Sequence, residues 1–174
     1  MSESRQEKLG VWANQVLKQL LPKIKGEADL TLVSGDASFR RYFRVRTDGA
    51  HFIAVDAPPE QENSRIFVRI SNLLQEAGVA APKVFSADYD QGFMLLDDFG
   101  DEIYLNRLVY LREAGNQSQI NTLYESAINS LLDIQAGVDK KRLDPYKKSE
   151  LHREMSLFED WFCSQFLQLK LEEN

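Results

Sequence analysis

Apolar positions along this chain follow two different periods, and the change from one to the other marks out its elements. Over residues 4–21, Leu9, Trp12, Ala13, Val16, Leu17 and Leu20 keep three- and four-residue spacing, which predicts an amphipathic helix ended by Pro22. Residues 29–33 read as a short strand. From residue 39 the pattern alternates. Phe39, Arg41, Phe43 and Val45 fall on one side, and Arg40, Tyr42 and Arg44 on the other. This is a strand with a basic face, entered from a tight loop of small residues around Gly35. Thr47-Asp48-Gly49 reads as a turn, residues 51–56 as a third strand, and Ala57-Pro58-Pro59 as its break. Strands this close in sequence predict an antiparallel meander.

A helix follows, with Ser64 as its expected cap and Gly78 as its expected end. Its expected buried stripe is Ile66, Phe67, Ile70, Leu73, Leu74 and Ala77. Residues 82–87 and 93–96 read as two further strands joined by Tyr89-Asp90-Gln91-Gly92. Beyond Gly100 the pattern is helix and loop. A short helix is expected over 102–111. A long one is marked by Ile120, Leu123, Tyr124, Ala127, Ile128 and Leu131. A last helix, capped by Ser149, carries Leu151, Met155, Phe158, Phe162, Phe166 and Leu169. Strands first and helices second predict an α+β fold. The expected organisation is a leading helix over 1–28, a five-stranded lobe over 29–100 and a helical part over 101–174.

Composition narrows the reading. A chain of 174 residues with 43% hydrophobic residues can bury a core. Its net charge of −6 argues against general nucleic-acid binding, because no basic excess offsets phosphate repulsion. The single Cys163 rules out an intramolecular disulfide framework and suits a reducing compartment. The N-terminus has no apolar signal core, and no apolar run is long enough to span a bilayer, so a cytoplasmic location without membrane contact is expected.

The chemistry-bearing stretch is residues 34–45, Ser-Gly-Asp-Ala-Ser-Phe-Arg-Arg-Tyr-Phe-Arg-Val. Small residues let backbone approach a ligand, and loop N–H groups can cradle an anion. Arg40, Arg41 and Arg44 supply cations beside it, in a side chain well shaped for phosphate. A plain hairpin with solvated arginines accounts for the same residues.

Four blocks in order carry a resemblance: residues 34–45, then Val55-Asp56-Ala57-Pro58-Pro59-Glu60, then Leu95-Leu96-Asp97-Asp98-Phe99-Gly100-Asp101, then Arg153-Glu154-Met155 with Phe158 and Trp161-Phe162. Together they resemble the aminoglycoside phosphotransferase-like family of protein-kinase-like fold. Within it they are most similar to the bacterial kinases that phosphorylate the anomeric hydroxyl of N-acetylmuramate and N-acetylglucosamine in cell-wall recycling. The resemblance implies a kinase-like N-terminal lobe, a five-stranded antiparallel sheet with one helix, followed by an incomplete helical lobe. It implies that Ser34, Gly35, Asp36, Ala37 and Ser38 cover ATP phosphates, with Arg40 or Arg41 near them. Leu95, Leu96, Asp97 and Phe99 would belong to the interlobe segment at 95–100, whose backbone meets the adenine edge. Asp56 falls where protein kinases carry a strand-three lysine. An acid there cannot pair with phosphate, so another group, expected to be an arginine, must do so. Glu60, Glu62 and Glu76 are the acids near the second helix, and the sequence does not choose among them. Glu154 and Trp161 lie where the family approaches its sugar.

Two motifs imitate catalytic ones. Asp98-Phe99-Gly100 spells the kinase metal-binding tripeptide but ends the fifth strand instead of following a catalytic loop. Asp97 and Asp98 are therefore read as loop residues, with capping of the next helix as one role. His152-Arg153-Glu154 lies within an amphipathic helix, and position 159 is Glu where the motif needs Asn. The histidines are His51 and His152, so these residues contain no His-x-Asp. No catalytic residue and no metal ligand is assigned. Mg2+ is expected only in a complete family member, and ATP is the expected nucleotide. The expected function is that of a truncated sugar kinase, inactive alone. A non-catalytic nucleotide-binding or regulatory module and a non-functional truncated product are the alternatives. Phe158, Phe162 and Phe166 are expected to be exposed, with self-association as the consequence.

Overall fold

The computed structural model describes residues 4–24, 26–35, 38–47 and 49–169. They divide into two compact units, residues 1–138 and 139–174. The first holds helix α1 (Arg5–Leu20), strands β1 (Asp29–Gly35), β2 (Arg41–Thr47) and β3 (Ala50–Asp56), helix α2 (Ser64–Glu76), strands β4 (Val84–Asp88) and β5 (Phe93–Asp97), and helices α3 (Tyr104–Glu113) and α4 (Gln117–Gly137). The strands form one antiparallel sheet in the order β1-β2-β3-β5-β4. The expected α+β pattern of five strands around one helix is the one observed.

Alternation along β2, β3 and β5 gives the sheet two apolar faces. On one, Phe43, Val45, Phe52, Ala54, Phe93 and Leu95 pack beneath Leu9, Ala13, Val16 and Leu17 of α1. On the other, Val55, Met94 and Leu96 pack with Phe67 and Val68 of α2. Helix α1 begins with a capping box: Glu7 N–H donates to Ser4 Oγ at 3.2 Å, and Ser4 N–H donates to Glu7 Oε2 at 2.6 Å.

Two register slips re-aim single residues. Leu32 pairs with Phe43 and Ser34 with Tyr42, so Val33 is an extra residue in β1. Val84 pairs with Leu96 and Ser86 with Leu95, so Phe85 is the extra residue in β4. Its ring meets Phe52 edge-on at 5.2 Å. Bulges of this kind turn a side chain toward the face where it is needed.

Several local expectations need correction. Helix α2 is capped by Asn63, whose side chain accepts the Ile66 N–H at 3.2 Å, and Ser64 is its first buried residue. Ile66 is 47% exposed. Leu73 is buried as expected, and Ser71, outside the expected stripe, is buried beside it, its Oγ donating to the Pro82 carbonyl. Neither Asp97 nor Asp98 caps α3, whose N-cap position is Ile103, with no side-chain bond.

The second unit contains helix α5 (Lys148–Leu157) and a π-helical run, Phe158–Phe166. Lys147, not Ser149, precedes α5, and no side chain caps it. Phe158, Phe162 and Phe166 are exposed as expected and stack in a ladder, with ring centroids 5.2 and 5.7 Å apart.

The β4–β5 turn closes against the end of β3 through Gly92. Its φ is +73°, Ala57 N–H donates to its carbonyl at 2.8 Å, and a Cβ there would lie 1.9 Å from the Ala57 oxygen. Gly49 also has positive φ, +89°, but open space around it. Gly92→Ala is therefore expected to destabilise the chain by about 3 kcal/mol or more, strain and clash together. Gly49→Ala is expected to cost only about 1 kcal/mol. Urea denaturation of the two variants, read as midpoints at constant slope, checks the difference.

Candidate functional site

The site is built on the α2 face of the sheet. A cavity of about 360 Å3 opens there, lined by Val33, Tyr42, Ile53, Phe67, Pro82 and Leu96, with Arg44 and residues 97–100 at one end. The bulge in β1 delivers Val33, and alternation delivers Tyr42, Arg44, Ile53 and Leu96. A mainly apolar cavity of this size, with a few polar groups at its rim, suits a flat small-molecule ligand.

Arg44 anchors the end of the cavity where the chain leaves the sheet. Its Nε and Nη2 donate to the two oxygens of Asp98 at 2.5 and 3.0 Å, and Nη1 donates to both oxygens of Asp101 at 2.7 and 2.8 Å. The Gly100 N–H donates to Asp98 Oδ1 at 2.8 Å. Asp97 accepts the Lys83 N–H at 2.9 Å and donates its own N–H to the Lys83 carbonyl at 3.0 Å. Hydrogen bonds from Arg44 hold the Asp98 carboxyl below the ordinary carboxylate range, and burial only partly opposes them. The same bonds push the Arg44 guanidinium up. Asp98 is thus occupied as a structural partner.

Two more arginines, at the start of β2 and just before it, lie on opposite faces. Arg41 lies on the α1 face. Its Nε and Nη2 donate to Asp56 Oδ2 at 3.2 and 2.5 Å. The other oxygen of Asp56 accepts from Arg5 Nε and Nη2 of α1 at 2.9 and 2.6 Å. Arg5 also donates to the Gln91 carbonyl at 2.7 Å. Asp56 is fully buried between the two guanidinium groups. Arg40 lies on the α2 face, with its guanidinium 5.4 Å from the centroid of the Phe67 ring. Glu62 holds it at 2.9 Å.

The residues singled out from sequence therefore separate. Leu96, Asp97 and Phe99 line the cavity. The Leu95 side chain belongs to the core beneath α1, and the backbone of Leu95 and Leu96 lies within the β3–β5–β4 ladder, so the stretch free of the sheet begins at Asp98. Ser34 and Gly35 end β1. Ser38 Oγ accepts the Arg40 N–H at 3.2 Å. Asp36 and Ala37 lie outside the described residues. Glu154 pairs with Arg153 in α5, and Trp161 is 67% exposed in the π-helical run; both belong to the second unit. Val33, Tyr42, Arg44, Ile53, Phe67 and Pro82 were not singled out as a lining. The alternation of β2 already put Tyr42 and Arg44 on one face, but the bulge at Val33 and the approach of Phe67 and Pro82 are tertiary. Among the described residues no cluster of three or more His, Cys, Asp or Glu side chains could hold a metal ion.

A sheet of this order, with one helix on each face and a cavity where the fifth strand leaves it, is the N-terminal lobe of a kinase-like α+β fold. The chain belongs to the phosphotransferase enzyme family (APH), whose match covers residues 29–169. It is similar to the N-acetylmuramate/N-acetylglucosamine kinases of Pseudomonas aeruginosa, Pseudomonas putida and Neisseria meningitidis serogroup B. The identities are 37, 38 and 33%, over 98, 95 and 94% of this chain. The chain spans about half the length of these curated relatives: 49, 48 and 46%.

The lowered Asp98 value has a stability consequence. The stabilisation it supplies is present above the unfolded carboxylate value of about 3.9 and is lost as pH falls through the lower folded value. Acid unfolding monitored from pH 5 to pH 2 is expected to be less steep below pH 4 in Asp98→Asn than in the wild type. Superimposable profiles would contradict this.

Proposed function

We propose that this chain is the nucleotide-binding half of an ATP-dependent kinase acting on an amino sugar, working in the cytoplasm, and that alone it binds nucleotide without transferring phosphate. The observation that carries the reading is the apolar cavity on the α2 face, with Arg44 and residues 97–100 at one end and Phe67, which Arg40 stacks against, in its lining. Family membership and the names of the relatives support the reaction class.

The reading divides the work among residues of this chain. Val33, Ile53 and Leu96 offer apolar walls to a flat base, and Tyr42 and Phe67 offer ring faces. The interlobe connection begins at Asp98, where the chain leaves β5, and its backbone meets the base edge. Arg44, by clamping Asp98 and Asp101, holds that backbone in place before any ligand arrives. Such preorganisation lowers the ordering cost of binding. The phosphates point away from this end, toward the 34–38 loop and Arg40. Arg41 contributes indirectly, through Asp56. In this reading residues 101–174 begin a helical lobe, and Glu154 and Trp161 lie on the sugar side.

Phosphoryl transfer is mainly positioning and charge stabilisation, and needs an acid that orients the attacking hydroxyl and metal ions that bridge the phosphates. The 174 residues hold no His-x-Asp, and the described ones no metal-ligating cluster. Calorimetry is expected to show ATP binding to the chain and its loss in Ile53→Trp, which fills the cavity. With ATP and magnesium, N-acetylmuramate and N-acetylglucosamine should remain unmodified. Turnover by the isolated chain, or ATP affinity equal in Ile53→Trp and wild type, would overturn the reading.

The phenylalanine ladder of the second unit is proposed as a surface for self-association. Light scattering is expected to show species larger than a monomer, with hydrophobic-dye fluorescence reduced in Phe162→Ser.

A further inference from the structure

We infer that Glu62 is a positioning residue that aims Arg40 at the phosphate oxygens of a nucleoside di- or triphosphate. The inference rests on the nucleotide reading above and deepens it. Glu62 lies between β3 and α2. Its Oε2 is 2.9 Å from Arg40 Nη2, and its Oε1 accepts the Phe39 N–H at 3.2 Å. One carboxylate thus holds a backbone and a side chain of consecutive residues just before β2. The Glu62 side chain is 12% exposed, so this is not a solvated surface pair.

Elimination among the three arginines points the same way. Every guanidinium nitrogen of Arg44 is engaged, by Asp98 and Asp101. Arg41 spends Nε and Nη2 on Asp56, on the face away from the cavity. Arg40 is on the cavity face, against the Phe67 ring that lines it, and its Nε is buried without a hydrogen-bond partner. The guanidinium thus keeps one buried donor that no protein acceptor satisfies. A guanidinium can hold a carboxylate with one nitrogen and offer others to phosphate. Glu62 keeps the arginine side chain from collapsing into solvent and sets which edge stays open.

The test is calorimetry on the 174-residue chain with adenosine, ADP and ATP as separate probes. For Glu62→Gln and for Arg40→Ala, ADP and ATP affinity is expected to fall about ten- to a hundredfold. Adenosine affinity should stay within about twofold, which also shows that the variants are folded. Because Glu62 acts through Arg40, the double variant should bind ATP no more weakly than Arg40→Ala alone. Glu62→Asp, shorter by one methylene, is expected to fall between wild type and Glu62→Gln. Should Glu62→Gln lose adenosine too, Glu62→Asp with intact adenosine binding carries the comparison. Wild-type ATP affinity in that variant, or additive losses in the double variant, would overturn the role of Glu62. Adenosine binding with no gain from phosphates would remove Arg40 while sparing the cavity. Failure of all three probes to bind the wild type would remove the nucleotide reading itself.

Discussion

A fully buried carboxylate between two arginines is the constraint on which the rest of this lobe depends. Asp56, at the end of β3, accepts from Arg5 of α1 with one oxygen and from Arg41 of β2 with the other. A buried acid without such partners would be costly, and losing either arginine would leave charge poorly compensated. The pairing therefore ties the leading helix, the second strand and the third strand together at the loop end of the sheet. The further bond from Arg5 to the Gln91 carbonyl adds the β4–β5 turn, which Gly92 brings within contact of Ala57.

The same logic repeats along β2 and its approach. Arg40, Arg41 and Arg44 each meet an acid from a different part of the chain: Glu62 before α2, Asp56 in β3, and Asp98 with Asp101 beyond β5. Alternation sends Arg41 to the α1 face and Arg44 to the α2 face, and places Arg40 beside Phe67. One short basic stretch thus supplies a cavity-lining residue, Arg44, and a cation against the Phe67 ring, Arg40. Arg44 clamps the segment leaving the sheet, and Arg40 stands just before β2. Asp56 in β3 is an anchoring acid, and a cation on the α2 face comes from the approach to β2.

Local rules and tertiary packing disagree most at helix ends and faces. Ser64 and Ser149 are good capping residues by type, yet Asn63 caps α2, and α5 begins at Lys148 without a side-chain cap. Capping residues compete within one or two positions, and the winner depends on where the chain turns in three dimensions. The helical stripe of α2 likewise put Ile66 inward. The structure instead buries Ser71, whose hydroxyl bonds the Pro82 carbonyl, because α2 lies along β4 and the segment leading into it.

The periods of apolar residues determined the elements, because the pitch of a helix and the pleat of a strand each bury one side. They also determined the antiparallel character of the first three strands, whose connections are too short for a crossover, and the two-sided division of the β2 arginines. The order of four motif blocks pointed to the family. What only tertiary structure decided was pairing at a distance: that β5 inserts between β3 and β4, that Val33 becomes an extra residue facing the cavity, and that each arginine takes its particular acid. The arginine–acid pairs join residues separated by 15 to 57 positions. Chain entropy opposes each such closure, and only burial of the whole sheet between α1 and α2 makes them simultaneously favourable.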